Sequence, residues 1–340
     1  MTGEYPFRKN IYTPIFLKSP LIIPEERFTV ADLMKGAGYT TGIVGKWHLG
    51  FQDKAPVDWN AALKPGPIEL GFDYYYGVPT VNSHAPFVYV ENHHVVGHIY
   101  DSSSPDYDPF DYKKDAGQQG YTEKHHEKMK LNAIGGAKAA HALYKDHEVG
   151  LHLAGKTIDW IDANKDKPFF LILSTTHIHH PFTPAPQFQG TSEAGLYGDF
   201  LHELDHIVGM ILQKLEAEGL EEDTMIIFTA DNGGMLNVTG QEAWQQHGHR
   251  MNGPLLGFKS DGWEGGHRVP FIVKWPGKVP AGTVSDQLIS AVDFMATFAS
   301  ITETPIPEKA SPDGVDMMEA FTGDPTEQIR DHLVCTPLSK

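Results

Sequence analysis

Between Thr29 and Gly50 the chain spells out a helix, a stop, a buried strand and a glycine-bounded loop in immediate succession. Val30, Leu33, Met34 and Ala37 recur at helical spacing. Thr29 and Asp32 offer a capping box at the start, and Gly38 supplies a stop. Thr40 to Val44 then reads as a short buried strand. This order predicts that Gly45 to Gly50 leaves the C-terminal end of a strand, where open α/β sheets bind ligands. The loop carries Lys46 and His48. Side chains at i and i+2 of an extended stretch point the same way, so the two are expected to reach one anionic group together, a fixed charge beside a proton carrier.

The alternation continues further along. A helix is predicted from His147 to about Ala163, followed by a strand over Phe169 to Leu173. Leu201, Leu204, Ile207, Val208, Ile211, Leu212 and Leu215 form a 3.6-period stripe that Gly219 ends. Met225 to Phe228 and Val269 to Trp275 read as two more strands. Strands alternating with helices predict an α/β sheet with helices on both faces. Residues 80–150 differ, being rich in Asp, Tyr, Ser, His and Gly with weak periodicity. They read as long loops and a hairpin over Phe87 to Val96, forming the rim of a substrate cleft.

Composition narrows the partners. With 27 basic against 44 acidic residues the net charge is −17, which argues against general binding to nucleic acid or anionic membrane. A local positive pocket for an anionic small molecule remains compatible with it. The 19 histidines raise the prospect of metal, phosphate or sulfate chemistry. Cys335 is the sole cysteine, so no intrachain disulfide forms. No apolar run approaches the roughly 18 residues of a membrane span. Met1 to Arg8 has no apolar core of the kind a signal peptide carries.

Three further segments could act on an anion. Asp231-Asn232, just past a predicted strand, places a carboxylate beside an amide oxygen, a pair suited to Ca²⁺ or Mg²⁺; the same residues also make a good Asx turn. His177, His179 and His180 follow the strand that begins at Phe169, with His177 and His179 spaced to face one cleft. They are compatible with zinc, or with a polar loop that happens to be rich in histidine. Lys259 lies among glycines that let backbone approach a ligand, and reads either as an anion clamp or as a solvated loop lysine. Converging lysines, histidines and a hard cation are what transfer of a sulfuryl or phosphoryl group requires.

Assembled, these residues closely resemble the type I sulfatase family of the alkaline-phosphatase-like superfamily. Gly38 to Gly50 is similar to the second sulfatase signature at nearly every position. Phe169 to Pro181, Tyr197 to Gly234, Gly253 to Gly277 and Asp313 to Gly323 look like the family too, including Leu-Asp-His-Ile-Val-Gly at 204–209. The resemblance implies a mixed α/β sheet with helices on both faces and hydrolysis of a sulfate monoester, aryl or sugar. It implies that Asp231 and Asn232 bind Ca²⁺, with Mg²⁺ the lesser alternative. Lys46 would stabilise the nucleophile, His48 would serve as a base beside it, and His179 and Lys259 would hold sulfate and assist the leaving alcohol. His177 would support them from behind. The family habit of export to periplasm, lysosome or extracellular space comes with it.

The family's nucleophile is a formylglycine made from a Cys-x-Pro-Ser-Arg-like sequence. That motif normally stands a few residues before a stretch resembling Met1-Thr-Gly-Glu-Tyr-Pro-Phe-Arg. The resemblance therefore implies a fragment that starts after the nucleophile and after a first strand bearing paired aspartate ligands. Residues 1–300 are expected to be catalytic domain and 301–340 the start of a C-terminal subdomain. Cys335-Thr-Pro-Leu-Ser-Lys fits the nucleophile motif poorly and reads as a strand-end cysteine. Two other readings stand beside the sulfatase: a non-catalytic anion- or glycan-binding relative, and a phosphate or phosphonate monoester hydrolase of the same superfamily.

Overall fold

A computed structural model describes residues 1–15, 19–83, 86–105, 107, 143–236, 240–323 and 325–336. Its strands are β1 (Thr40–Lys46), β2 (Tyr74–Val78), β3 (Val90–Glu91), β4 (His94–Val95), β5 (Phe169–Ser174), β6 (Ile226–Thr229) and β7 (Phe271–Lys274). Its α-helices are α1 (Val30–Gly36), α2 (Val149–Asn164), α3 (Gly195–Ala217), α4 (Gly240–His247), α5 (Glu264–His267), α6 (Phe294–Ile301) and α7 (Met318–Thr322).

The capping box predicted for α1 forms: Thr29 Oγ1 accepts from the N–H groups of Ala31 and Asp32, and the Asp32 carboxylate accepts from Thr29 N–H at 2.9 Å. The helix feeds through Gly38 into β1, whose five interior residues are all buried. Neighbouring residues of β1 serve opposite faces. Ile43 packs with Trp47, Phe51, Trp59 and Tyr75, whereas Val44 packs with Tyr76, Tyr89 and Leu153. β2 and β5 flank β1 in parallel, and the short hairpin β3–β4 extends the sheet antiparallel to β2. Helices cover both faces. Phe170 meets the α1–α6 layer, while Phe169 and Leu171 meet Trp160 of α2 and Leu215 of α3. The result is the expected α/β architecture, a mixed sheet between helical layers.

Three details depart from the sequence reading. β1 runs two residues past Val44, so Gly45 and Lys46 belong to the strand and not to the loop. β6 does not join the main sheet. Among the described residues it pairs with β7 alone, in an antiparallel ribbon with Ile227 opposite Val273. An apolar run specifies a buried strand but not its neighbour, because pairing is a long-range choice. Cys335 lies exposed and outside any strand, where a strand end was expected. The hairpin expected over Phe87 to Val96 is present as β3–β4. Most of the expected cleft rim, residues 106 and 108–142, lies outside the described residues. No helix among the described residues is long and apolar enough to cross a membrane.

Gly45 shows why the strand can continue. Its φ is +116°, and a Cβ there would stand 1.9 Å from the Ser174 carbonyl oxygen on β5. Gly45→Ala is expected to cost about 2–5 kcal/mol through backbone strain and overpacking together, read as a lowered urea midpoint.

Candidate active site

The C-terminal ends of β1, β5 and β6 deliver the side chains singled out in the sequence to one opening. Lys46 ends β1, the loop after β5 carries His177 to His180, and Asp231-Asn232 follows β6. Lys46 Nζ lies 3.7 Å from Asp231 Oδ2; the lysine side chain is largely covered and the carboxylate is 71% exposed. Lys259 reaches the same place because its backbone N–H donates to the Gly234 carbonyl at 2.8 Å, stitching its loop to the one after β6. Asn252 reinforces the stitch: its side-chain oxygen accepts from Gly234 N–H at 2.7 Å, and its amide donates to the Gly257 carbonyl at 2.9 Å.

Electrostatics record how close these groups are. His179 is pushed down to about 2, by burial above all, then by His180, Lys259 and Lys46, against an opposing contribution from the His180 carbonyl. Burial also lowers Lys259, which Asp231 partly restores while Lys46 lowers it further. His179 Nδ1 stands 2.6 Å from the His180 carbonyl oxygen, which can only accept. The neutral ring therefore carries its proton on Nδ1 and leaves the Nε2 lone pair for chemistry. Two cationic groups, offset in part by the Asp231 carboxylate, and a buried neutral imidazole make a pocket suited to an anion.

The shift has a consequence for stability. An unfolded histidine titrates near 6.5, the folded His179 far below it. Between those values the unfolded chain binds more protons, so stability falls as pH falls below about 6.5, by up to about 1.4 kcal/mol per pH unit. His179→Asn is expected to flatten that acid limb, as comparison of urea midpoints at pH 7 and pH 5 for the two proteins will show.

The structure separates two pairs that the sequence spacing joined. Lys46 is the last strand residue, but His48 adopts φ +52°, so the extended i, i+2 geometry ends between them. His48 Nε2 instead lies 3.1 Å from the Ile15 carbonyl oxygen, and its side chain still borders the opening. His177 and His179 diverge as well. His177 is fully buried against the Phe200 ring, centroids 4.1 Å apart, with Nε2 3.4 Å from Glu203 Oε1. That contact does not meet hydrogen-bond geometry, and both ring nitrogens are without a hydrogen bond among the described residues. The other Glu203 oxygen accepts from Ala185 N–H at 2.7 Å. Glu203 thus clasps the two ends of the loop that carries His179. Its one advance sign is an acidic residue beside the apolar stripe of α3; Asn252 has none.

Among the described residues no group of three or more His, Cys, Asp or Glu side chains could hold an ion, so the zinc reading of the histidines does not hold there. Asp231 and Asn232 offer the oxygen chemistry that a hard cation prefers. The Asn232 amide nitrogen donates to the Gly233 carbonyl at 2.9 Å and leaves the side-chain oxygen available. Two side chains supply only part of the six to eight oxygens that Ca²⁺ takes. The pair fits a share of a cation shell rather than a whole one.

The Sulfatase family model matches residues 1–304. The chain belongs to the sulfatase family. Among its relatives, an N-acetylgalactosamine-6-O-sulfatase of Bacteroides thetaiotaomicron is 34% identical over 95% of this chain and 66% of its own length. The steryl-sulfatase of Rattus norvegicus is 31% identical over 95% of this chain and 61% of its own length. A Bacteroides thetaiotaomicron structure described under metabolism of multiple glycosaminoglycans superposes with a TM-score of 0.81 at 33% identity, covering 94% of this chain and 69% of that one. This sulfatase-family chain therefore spans just under two thirds of the first curated relatives it matches. The shared architecture is the alkaline-phosphatase-like α/β fold, and the cluster of Lys46, His179, Asp231 and Lys259 lies within the matched residues.

Proposed function

We propose that the protein is a sulfuric ester hydrolase that cleaves a sulfate monoester of a sugar into alcohol and sulfate. The observation that carries this reading is the gathering of Lys46, Lys259 and neutral His179 at one opening, in a chain of the sulfatase family. Lys46 and Lys259 hold the sulfate oxygens by charge-assisted hydrogen bonds. An anion beside His179 offsets the two lysines that depress it and lets Nε2 take a proton, which it returns to the departing alcohol oxygen. His48 acts as a base on the opposite side, and buried His177 with Glu203 fixes the loop from which His179 projects.

Asp231 and Asn232 contribute to a Ca²⁺ shell that other oxygens complete. A bound cation there supplies positive charge to the sulfate oxygens. The attacking hydroxyl is a formylglycine in the family resemblance, and no residue of this chain is assigned to it. A sugar ester is favoured over an aryl one because the Bacteroides thetaiotaomicron relative is named an N-acetylgalactosamine-6-O-sulfatase. An exported compartment agrees with the family habit.

The test measures release of sulfate from N-acetylgalactosamine 6-sulfate and from an aryl sulfate, and of phosphate from an aryl phosphate. The protein used is the full product of its gene. Faster release from the sugar sulfate is expected. Preference for the phosphate ester moves the protein to the phosphomonoesterase reading. Tight binding of the sulfated sugar without any release moves it to the non-catalytic one.

A further inference from the structure

One histidine at the opening has no part in the sulfate cluster. His249 borders the same space as His179, His180 and Lys259, and it is half-buried. It follows α4 directly. The turn that ends the helix passes through Gly248, φ +67°, whose N–H donates to the Trp244 carbonyl at 2.9 Å. His249 N–H donates to the Ala243 carbonyl at 3.0 Å, and Ala243 is buried in one cluster with Phe182, Tyr197 and Phe200. The His249 ring lies against Tyr197, centroids 5.1 Å apart and planes 43° to each other. Tyr197 in turn meets Phe182 edge-on at 5.2 Å. Backbone turn and ring contact together fix where the imidazole stands.

The same cluster shows which side of the site this is. Ile178 and Phe182 belong to the loop that carries His179, and both pack in the cluster. Met251, two residues after His249, packs there as well. Met251 also closes on the loop after β6: a Cβ on Gly234 would stand 2.7 Å from the Met251 Cβ. His249 is thereby held between the loop of His179 and the loop of Asp231. That is the side on which His179 meets the departing alcohol.

The edge of the ring is unengaged. His93 in the β3–β4 turn and His152 of α2 each use a ring nitrogen on a protein group, Glu69 at 3.0 Å and Tyr76 at 2.7 Å. Neither ring nitrogen of His249 has a hydrogen-bond partner among the described residues. A neutral imidazole offers one N–H and one lone pair along that edge. A sugar hydroxyl beside the ester matches either, because a hydroxyl both donates and accepts. A simple aryl sulfate carries no such group.

We propose that His249 selects the alcohol half of the substrate: its ring edge hydrogen-bonds a hydroxyl of the sugar that carries the sulfate. This rests on the sulfatase reading of the cluster and adds to it the residue that reads the sugar. His249 neither holds the sulfate nor moves the proton. It stands in the stretch between Asp231-Asn232 and Lys259, so the segment that joins two parts of the anion site also carries discrimination between alcohols.

The test uses the full gene product and replaces His249 by Phe, Ala and Gln. Two ratios are read. One is kcat/KM for N-acetylgalactosamine 6-sulfate over that for an aryl sulfate lacking hydroxyls. The other, by calorimetry, is affinity for the same sugar sulfate over affinity for inorganic sulfate. His249→Phe keeps a ring against Tyr197 and removes both nitrogens. His249→Phe and His249→Ala are expected to lower both ratios by about 5- to 10-fold, the worth of one neutral hydrogen bond. His249→Gln, which keeps a donor and an acceptor, is expected to stay within about threefold of the parent protein. If the alanine variant does not fold, the other two decide. Unchanged ratios in His249→Phe overturn the proposal. So does an equal loss of affinity for sugar sulfate and inorganic sulfate, which assigns His249 to the anion site or to the fold. Unchanged ratios in a protein that hydrolyses the sugar sulfate strike this assignment alone. A parent protein that neither hydrolyses nor binds the sugar sulfate strikes it together with the sulfatase reading.

Discussion

Glu203→Ala is expected to lower stability by about 3–5 kcal/mol, the cost of removing one member of a buried charged or polar pair. Glu203 is 1% exposed, one oxygen holding Ala185 N–H at 2.7 Å and the other 3.4 Å from His177. The alanine variant leaves the Ala185 amide buried without its acceptor and removes the carboxylate beside the buried His177 ring. The site is closely packed on its far side: a Cβ on Gly150 would lie 2.3 Å from the carboxylate and 2.5 Å from the His177 ring. Glu203→Gln keeps an acceptor for Ala185 and is expected to lose less than half as much. Urea denaturation of the two variants measures the difference. Equal, small losses in both would show that the clasp on the His179 loop contributes little.

Lys259→Ala is expected to weaken binding of a sulfated sugar by about 10- to 100-fold, and Lys46→Ala by a similar factor, since hydrogen bonds to charged groups are worth roughly 1.5–3 kcal/mol. Calorimetric titration of the 340-residue chain reads this without any turnover. The same variants move His179. Both lysines depress its pKa, Lys259 more strongly than Lys46, so each replacement is expected to raise it and Lys259→Ala to raise it further. Titration of the imidazole by NMR gives that order. In a hydrolysing form of the protein, loss of either cation is expected to lower kcat by about 10²- to 10³-fold, as removal of a preorganised group facing developing charge does. An unchanged affinity with an unchanged His179 titration would remove both lysines from the anion site.

Local signals carried much of the molecule. The Thr29–Asp32 capping box, the apolar stripe of α3 and the strands around Ile43 and Leu171 are legible because capping, helical period and β-run each depend on residues close in sequence. The ends of those strands place Lys46, His179 and Asp231 at one edge, so the general position of the site was legible with them. Lys46 with His48, and His177 with His179, were not. The backbone turns left-handed at His48, and His177 is drawn into the core by Phe200 and Glu203. Spacing rules hold only while the chain stays extended, and both pairs lie where it leaves a strand.

What the sequence by itself determined is the inventory: which segments are helix or strand, an acidic surface around a few convergent cations, and the family to which the motifs belong. The tertiary structure alone decided which strands are neighbours, how near the lysines stand to His179, and that Glu203 and Asn252 hold the loops bearing His179 and Lys259. It alone also showed that, among the described residues, β6 pairs with β7 rather than with the main sheet. These are contacts between residues distant in the chain. Their energies come from burial and from hydrogen bonds between separate elements, and neither period nor motif records which partner a segment will meet.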